Sequence, residues 1–164
     1  MNETFLWLNG YQWTVLAASL SVIFGGIGSC IGITSAAKMS AGVLAEDPDK
    51  FGGLLVLSIL PGTQGIYGFI TGLLVVVFFG LLGGDGKSIV LAQGMRIFLG
   101  CLPVMIMCLI SGIYQGVVST AGVAMVAKRG ETAGQGMILS ALVETYAVLS
   151  LVVSLFLIMA AQAG

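Results

Sequence analysis

The chain has 164 residues, of which 58% are hydrophobic and only 8% are charged, with a formal net charge of −1 and a mean hydropathy of +1.11. Soluble domains carry about 25% charged residues, so this composition excludes an ordinary water-soluble domain. The near-zero net charge, without a basic patch to neutralise phosphates, also excludes nucleic acid as a partner.

Four long, nearly uncharged stretches follow one another along the chain. Each is longer than the ~20 residues that an α-helix needs to cross a hydrocarbon core at ~1.5 Å per residue. The sequence therefore predicts an all-α membrane protein with four transmembrane helices in a single membrane domain, residues 1–164. A first hairpin is expected at about residues 11–84 and a second at about residues 88–162. The four stretches are residues 11–45, 51–84, 97–127 and 132–164.

Three short polar breaks separate these helices, at residues 46–50, 83–87 and 128–131. With four helices, the first and third breaks face one side of the membrane, and the second break and both termini face the other. More basic residues flank the first side, so the positive-inside rule predicts that the breaks at 46–50 and 128–131 are cytoplasmic and the termini outside. The basic residues are Lys38, Lys50, Lys128 and Arg129 on the first side, and Lys87 and Arg96 on the second.

The two hairpins resemble each other in sequence. Residues 58–63 (SILPGT) align with residues 140–145 (SALVET) at a shift of 82, and residues 25–29 align with residues 111–115 at a shift of 86. These shifts are compatible if the third break is four residues shorter than the first. A two-helix unit returns to its starting side, so we expect two tandem parallel repeats rather than inverted ones. Gly62 then occupies the place of Glu144.

Glu144 is the only acidic residue between positions 132 and 164, a stretch otherwise rich in Leu, Val, Ala, Ser and Met. Its position predicts a carboxylate near the middle of the bilayer. A charge at that depth costs at least ~2.5–3.5 kcal/mol on insertion scales, so an intramembrane acid is a functional-site candidate by default. We therefore expect Glu144 to carry the function of the protein.

Other polar side chains are predicted at the same depth. Gln64 lies 14 residues after Lys50, Glu144 lies 13 after Glu131, and Gln115 lies 13 before Lys128. At ~1.5 Å per residue, all three fall about 20 Å from the cytoplasmic breaks. In the second helix, Pro61 cannot donate a backbone hydrogen bond, so a carbonyl can be freed there. The residues that share the face of Gln64 at helical spacing are Leu60, Thr63 and Tyr67.

This set offers a carboxylate, two carboxamides, a hydroxyl and a phenol, and no His or Cys ligand. Hard cations such as Na⁺ prefer oxygen ligands. One carboxylate balances one monovalent charge, and a proton carrier would not need the additional oxygens, so the pattern favours Na⁺ over H⁺. Two alternatives remain open at this level. Gln115 and Thr63 could simply bridge helices, and Tyr67 could cap the site or only pack.

Several glycine patterns have a structural explanation. Gly28-x-x-x-Gly32, Gly68-x-x-x-Gly72 and Gly112-x-x-x-Gly116 place small residues one turn apart, which predicts close approach of membrane helices. The glycines at 26–32 are spaced one residue too widely for a dinucleotide-binding motif and follow no strand. Residues 86–88 lack the earlier glycine of a phosphate-binding loop, because position 81 is Leu. We therefore expect no nucleotide.

Residues 60–68 (LPGTQGIYG) and 143–147 (VETYA) resemble the rotor-ring proteolipids of V-type ATPases, in particular the bacterial Na⁺-transporting form. The resemblance covers essentially the whole chain. It implies a homo-oligomeric ring, with the first and third helices inside and the second and fourth outside. It also implies one ion at mid-membrane, bound by Glu144, Gln64, Thr63, Gln115 and the Leu60 backbone carbonyl, with Tyr67 closing the site.

The resemblance further implies partners and a location. These are identical subunits, a stator membrane subunit with half-channels, a central-stalk subunit and the lipid of a bacterial plasma membrane. The chain would not be catalytic on its own, because ATP would be hydrolysed in a separate soluble head. Two alternatives are the same rotor carrying H⁺ and, from another class, a stand-alone cation channel or small carrier.

Overall fold

The computed structural model describes residues 7–83 and 88–163, which are almost entirely helical. Short 3-10 helices connect α1 to α2 (Pro48–Lys50), α2 to α3 (Leu60–Gly62) and α4 to α5 (Gly130–Thr132). Most of the predicted break at residues 83–87 lies outside the described residues. The α-helices are α1 (Gly10–Glu46), α2 (Phe51–Ile59), α3 (Thr63–Phe78), α4 (Leu91–Lys128) and α5 (Ala133–Ala163).

Within the described residues, four helical stretches are long and apolar enough to cross a membrane, which confirms the predicted all-α class with four transmembrane helices. The second of them combines α2, its 3-10 turn and α3. We call α1 to α3 the first hairpin, and α4 with α5 the second hairpin. The four stretches are Gly10–Glu46, Pro48–Phe78, Leu91–Lys128 and Gly130–Gln162.

Two helix boundaries differ from those predicted from uncharged stretches. The helix that was expected to reach residue 84 ends at Phe78, and Gly80 then adopts a φ of 60°, a left-handed conformation that glycine tolerates. The helix that was expected to begin at residue 97 begins at Leu91, so α4 includes the exposed Arg96. A long basic side chain can extend from a helix end to the membrane interface, so a charge there does not mark the helix start.

The two turns at one end of the molecule have equal length. Asp47 ends α1 and Arg129 ends α4, and a three-residue 3-10 helix follows each of them. Asp47 and Arg129 are 82 positions apart, as are Gly62 and Glu144, so a single shift of 82 relates the two hairpins. The predicted shift of 86 between the first and third helices is therefore wrong, as is the shortened third break. Helices so rich in small residues give short chance matches of this kind.

The two hairpins meet where α1 and α4 pack against each other through glycines. A Cβ atom added to Gly28 would lie 2.6 Å from the carbonyl oxygen of Cys108, and one added to Gly112 would lie 2.7 Å from the carbonyl carbon of Gly28. Gly32 and Gly116 also oppose each other without room for a side chain. The predicted role of these two glycine motifs in close helix approach is therefore confirmed.

Serine side chains hold the two helices of each hairpin together between this contact and the turns. Ser40 and Ser58 share a hydrogen bond of 2.9 Å in the first hairpin. Ser119 and Ser140 share one of 2.7 Å in the second hairpin. Because buried hydroxyls are costly without partners, these pairs fix the register of α2 against α1 and of α5 against α4.

Candidate functional site

Glu144 lies about a third of the way along α5 and is half-buried against the first hairpin. Its carboxylate accepts two hydrogen bonds. The Tyr67 hydroxyl donates to Oε1 at 2.6 Å, and the Gln115 side-chain amide donates to Oε2 at 3.3 Å. Tyr67 belongs to α3 and Gln115 to α4, so one acid contacts helices from both hairpins. Two donors stabilise a charge that would be costly alone at this depth.

Gln64 and Gln115 are in direct contact. From the sequence, they were predicted only to lie at the same depth. The Gln64 side-chain amide donates to Gln115 Oε1 at 2.5 Å, and both side chains are fully buried. Gln64 also lies beside Thr63, whose hydroxyl is 3.4 Å from Gln64 Oε1. The side chains therefore form a continuous chain from Thr63 through Gln64 and Gln115 to Glu144 and Tyr67.

Three oxygen atoms lie close together at the start of this chain, and the Leu60 carbonyl oxygen among them already accepts the Thr63 backbone N–H. The Thr63 hydroxyl lies 3.2 Å from the backbone carbonyl oxygen of Leu60 and 3.4 Å from Gln64 Oε1. A hydroxyl has one proton, so it can serve only one of these two acceptors at a time. One turn of the second span thus presents three close oxygens. Such a cluster offers the oxygen ligands that hard cations prefer.

The break in the second span creates this geometry. Pro61 lies inside the 3-10 helix Leu60–Gly62, which separates α2 from α3. Proline has no N–H and displaces the carbonyl of the preceding turn, so regular α-helical bonding stops at this point. The sequence predicted a freed carbonyl at Pro61, and the structure has a 3-10 turn at this proline. Thr63 and Gln64 then begin α3 immediately after the turn.

The same position in the first hairpin is apolar. Gly62 is related to Glu144 by the shift of 82, and Ile33 is related in the same way to Gln115. A Cβ atom added to Gly62 would lie 3.2 Å from Ile33 Cδ1, so this pair is in contact as Glu144 and Gln115 are. The structure therefore contains two repeat-related locations, one polar and one sealed by an isoleucine.

Ser29 supports the site but was not predicted from the sequence. Its hydroxyl accepts a hydrogen bond from the Gly65 backbone N–H at 2.7 Å, just after the 3-10 turn. A buried N–H without a partner costs free energy, so Ser29 stabilises the break that places Thr63 and Gln64. The available signal was the combination of Pro61 in one span with a small hydroxyl residue in the helix packed against it.

Fold and site together define a multi-pass membrane protein of two tandem helical hairpins, with one intramembrane carboxylate among neutral oxygen groups. The family model for the C subunit of ATP synthase matches the chain twice, at residues 16–75 and again at residues 98–157. These two segments are also offset by 82 positions. The chain belongs to this ATP synthase C-subunit family, as its resemblance to rotor-ring proteolipids predicted, and the expected tandem repeat is confirmed.

Two relatives are similar over nearly the whole chain. The V-type sodium ATPase subunit K of Enterococcus hirae is 41% identical over 150 residues, which cover 92% of each protein. The A-type ATP synthase subunit K of Methanocaldococcus jannaschii is 34% identical over 149 residues, which cover 91% of this chain and 63% of the relative.

Proposed function

We propose that this protein is a membrane rotor subunit of a rotary V-type ATPase, which binds one Na⁺ at mid-membrane through Glu144. Its relation to a sodium ATPase subunit K supports this assignment, and so does its membership of the ATP synthase C-subunit family. The family relation alone leaves open which ion is carried. That choice depends on the chemistry of the site.

The oxygen cluster carries the proposal for sodium. Leu60, Thr63 and Gln64 present a carbonyl, a hydroxyl and an amide oxygen within one turn, and the Thr63 hydroxyl lies within 3.4 Å of both other oxygens. We propose these three as neutral Na⁺ ligands, with Glu144 and Gln115 completing the set. One carboxylate neutralises one monovalent cation, so the loaded site has no net charge. A carrier of H⁺ would need the carboxyl group but not the neighbouring oxygens.

The position of Glu144 suggests how loading couples to rotation. Leu142 and Tyr146, on either side of the acid in α5, are 59% and 62% exposed in the isolated chain. A carboxylate beside such an apolar surface can face lipid only when its charge is balanced. A loaded copy could therefore move through lipid, whereas an empty one could not. Tyr67 keeps the carboxylate turned inward through its 2.6 Å hydrogen bond, which is the closing role we assign to it.

The proposed assembly is a ring of identical subunits that turns against a stator membrane subunit with half-channels and binds a central-stalk subunit. The chain itself is not catalytic in this scheme, because ATP hydrolysis occurs elsewhere in the complex. Moving one Na⁺ against 100 mV requires ~2.3 kcal/mol, which rotation supplies. We place the ring in a bacterial plasma membrane, with the turns at residues 46–50 and 128–131 in the cytoplasm and the termini outside.

Labelling of Glu144 by a carboxyl-modifying reagent tests the proposal. Na⁺ should slow the labelling and K⁺ should not, because a bound ion shields the carboxylate. Protons should compete with Na⁺ for the same group, so more Na⁺ should be needed for protection as the pH falls. Glu144→Gln identifies the labelled site, and the exposed Glu131 provides an internal carboxylate whose labelling should not respond to Na⁺.

Two outcomes would redirect the proposal. Absence of Na⁺ protection at every pH, with labelling governed by pH alone, would assign the same rotor to H⁺. Transport of Na⁺ by the purified protein in liposomes, without any other subunit, would replace the rotor with a self-contained channel or carrier.

A further inference from the structure

The two turns that join the helices of each hairpin carry opposite charges at repeat-related positions. Glu46 and Asp47 lie at the end of α1. The corresponding positions at the end of α4 are Lys128 and Arg129. Each pair is related by the shift of 82 that superimposes the turns. Two copies of one structural unit therefore present an acidic face in one hairpin and a basic face in the other.

Within the chain, the two turns already meet at one boundary. The Lys50 ammonium group donates to the Ala127 carbonyl oxygen at 2.9 Å and lies 3.1 Å from Asp47 Oδ2. Lys50 thereby links Asp47 of the first turn to the last turn of α4, which ends at Lys128. The acidic turn of the first hairpin thus contacts the end of the helix that carries the basic pair of the second hairpin.

The repeat predicts what happens at the next boundary. If the second hairpin meets a further hairpin as the first meets the second, the counterpart of Asp47 is Arg129, and the counterpart of Lys128 is Glu46. The side chains of Glu46 and Arg129 are exposed, and neither forms an ion pair within the described residues. The sign of each charge is reversed, yet the pair remains complementary. Acidic and basic turns would therefore alternate without a mismatch at either boundary.

We propose that Arg129 of one copy pairs with Glu46 of the next copy, so that the turns form a head-to-tail electrostatic contact between identical subunits. This inference rests on the proposed ring, because it extends the boundary inside the chain to the boundary between chains. A head-to-tail contact of this kind closes into a ring when the rotation between copies allows it. Charge complementarity mainly fixes register and opposes incorrect neighbours.

Disulfide crosslinking tests the contact directly. A Glu46→Cys/Arg129→Cys variant, made in a Cys30→Ser background, should give a ladder of crosslinked oligomers on a denaturing gel after oxidation in membranes. The background removes the exposed native cysteine, whereas Cys101 and Cys108 are buried. Asp47→Cys/Lys128→Cys is the matched control, and it should close within one chain and remain a monomer. A 46/129 variant that stays monomeric, whether linked within one chain or not linked at all, overturns the proposal.

Charge reversal provides a second measurement on the intact assembly. Arg129→Glu should lower the temperature at which the extracted oligomer dissociates, and adding Glu46→Arg should restore it. Lys38→Glu makes the same change of charge on an exposed face of α1 and should have no such effect. The loss should shrink at 1 M salt, where the Debye length is about 3 Å. An Arg129→Glu oligomer as stable as the unmodified one at low salt also contradicts the contact.

The labelling of Glu144 separates this inference from the function on which it rests. If the extracted protein is an oligomer and Na⁺ still protects Glu144, but the 46/129 pair does not crosslink, only the electrostatic contact is wrong. If the extracted protein is a monomer and Na⁺ gives no protection, the proposed rotor itself fails.

Discussion

The two hairpins share one plan but contribute different chemistry to the site. In the first hairpin, the second span is broken at Pro61 and carries the neutral oxygens of Leu60, Thr63 and Gln64. In the second hairpin, α5 is continuous and carries the carboxylate of Glu144. Neither hairpin alone contains all the candidate site residues. The comparison shows that a repeat can divide a candidate site between its halves, with the acid in one hairpin and most of the neutral oxygens in the other.

The difference follows from a few related positions. Pro61 and Gly62 in the first hairpin correspond to Val143 and Glu144 in the second. Proline breaks the helix and frees polar backbone groups, whereas valine lets α5 continue. The carboxylate of the unbroken helix meets the first hairpin through the Tyr67 hydroxyl, while the broken helix groups the oxygens of Leu60, Thr63 and Gln64 within one turn.

Removing the acid should have the largest effect. Glu144→Gln keeps the shape but removes the charge that balances the cation, a loss of about 3–5 kcal/mol in a buried pair. Ion transport by the assembled complex should fall by more than about a hundredfold. Glu131→Gln, in the exposed second turn, should leave transport unchanged. A Glu144→Gln complex that still pumps Na⁺ at a rate close to that of the unmodified complex would contradict the assignment of the carboxylate.

Placing an acid at the related position of the first hairpin should destabilise the protein rather than create a second site. Gly62→Glu would set a carboxylate against Ile33, at a cost of about 2.5–3.5 kcal/mol on insertion scales. The midpoint of thermal unfolding in detergent should drop well below that of Gly62→Ala. Adding Ile33→Gln, which imitates Gln115, should recover part of the loss. Equal midpoints for Gly62→Glu and Gly62→Ala would show that this location is not sealed.

Two threonines, one in each hairpin, allow the different contributions of the hairpins to ion binding to be tested with the same substitution. Thr63 and Thr145 are repeat-related, and each hydroxyl donates to the carbonyl three residues earlier, at 3.2 Å and 2.8 Å. Only Thr63 lies beside Gln64 and the oxygen cluster. Thr63→Val should weaken Na⁺ protection of Glu144 by about 1–3 kcal/mol, or roughly five- to 140-fold. Thr145→Val should change it by less than about twofold. Similar losses in both variants would argue against Thr63 as a ligand.

Much of this arrangement could be predicted from the sequence, because membrane helices follow strong composition rules. Hydrophobic length located the four spans, and the isolated charge of Glu144 marked the site. Counting residues from the turns placed Gln64 and Gln115 at one depth, because the rise of a helix is regular. The helix ends were less predictable. Arg96 lies inside a helix, and a glycine conformation ends another before its apolar stretch ends.

The contacts between helices could not be predicted in the same way. The depth of a residue in the membrane does not define the rotation of its helix about the helix axis. The direct hydrogen bond between Gln64 and Gln115 is therefore seen only in the packed structure. The role of Ser29 was hidden for a similar reason. It depends on how α1 faces the break at Pro61, which no local pattern encodes. The misaligned shift of 86 also arose in α1 and α4, where small residues recur too often to define a register.

The smallest expected effect distinguishes two serines that occupy related positions. Ser29 and Ser111 are both buried, but only Ser29 has a backbone N–H to bind, because only the first hairpin is broken. Within the described residues, the Ser111 hydroxyl has no hydrogen-bond partner. Ser29→Ala should lower the free energy of unfolding by about 1–3 kcal/mol, whereas Ser111→Ala should be neutral or slightly stabilising. Unfolding in mixed detergent and SDS micelles measures both. Equal losses would mean that the Ser29 hydrogen bond does not stabilise the helix break at Pro61. The two hairpins would then differ less in their packing than in their charge.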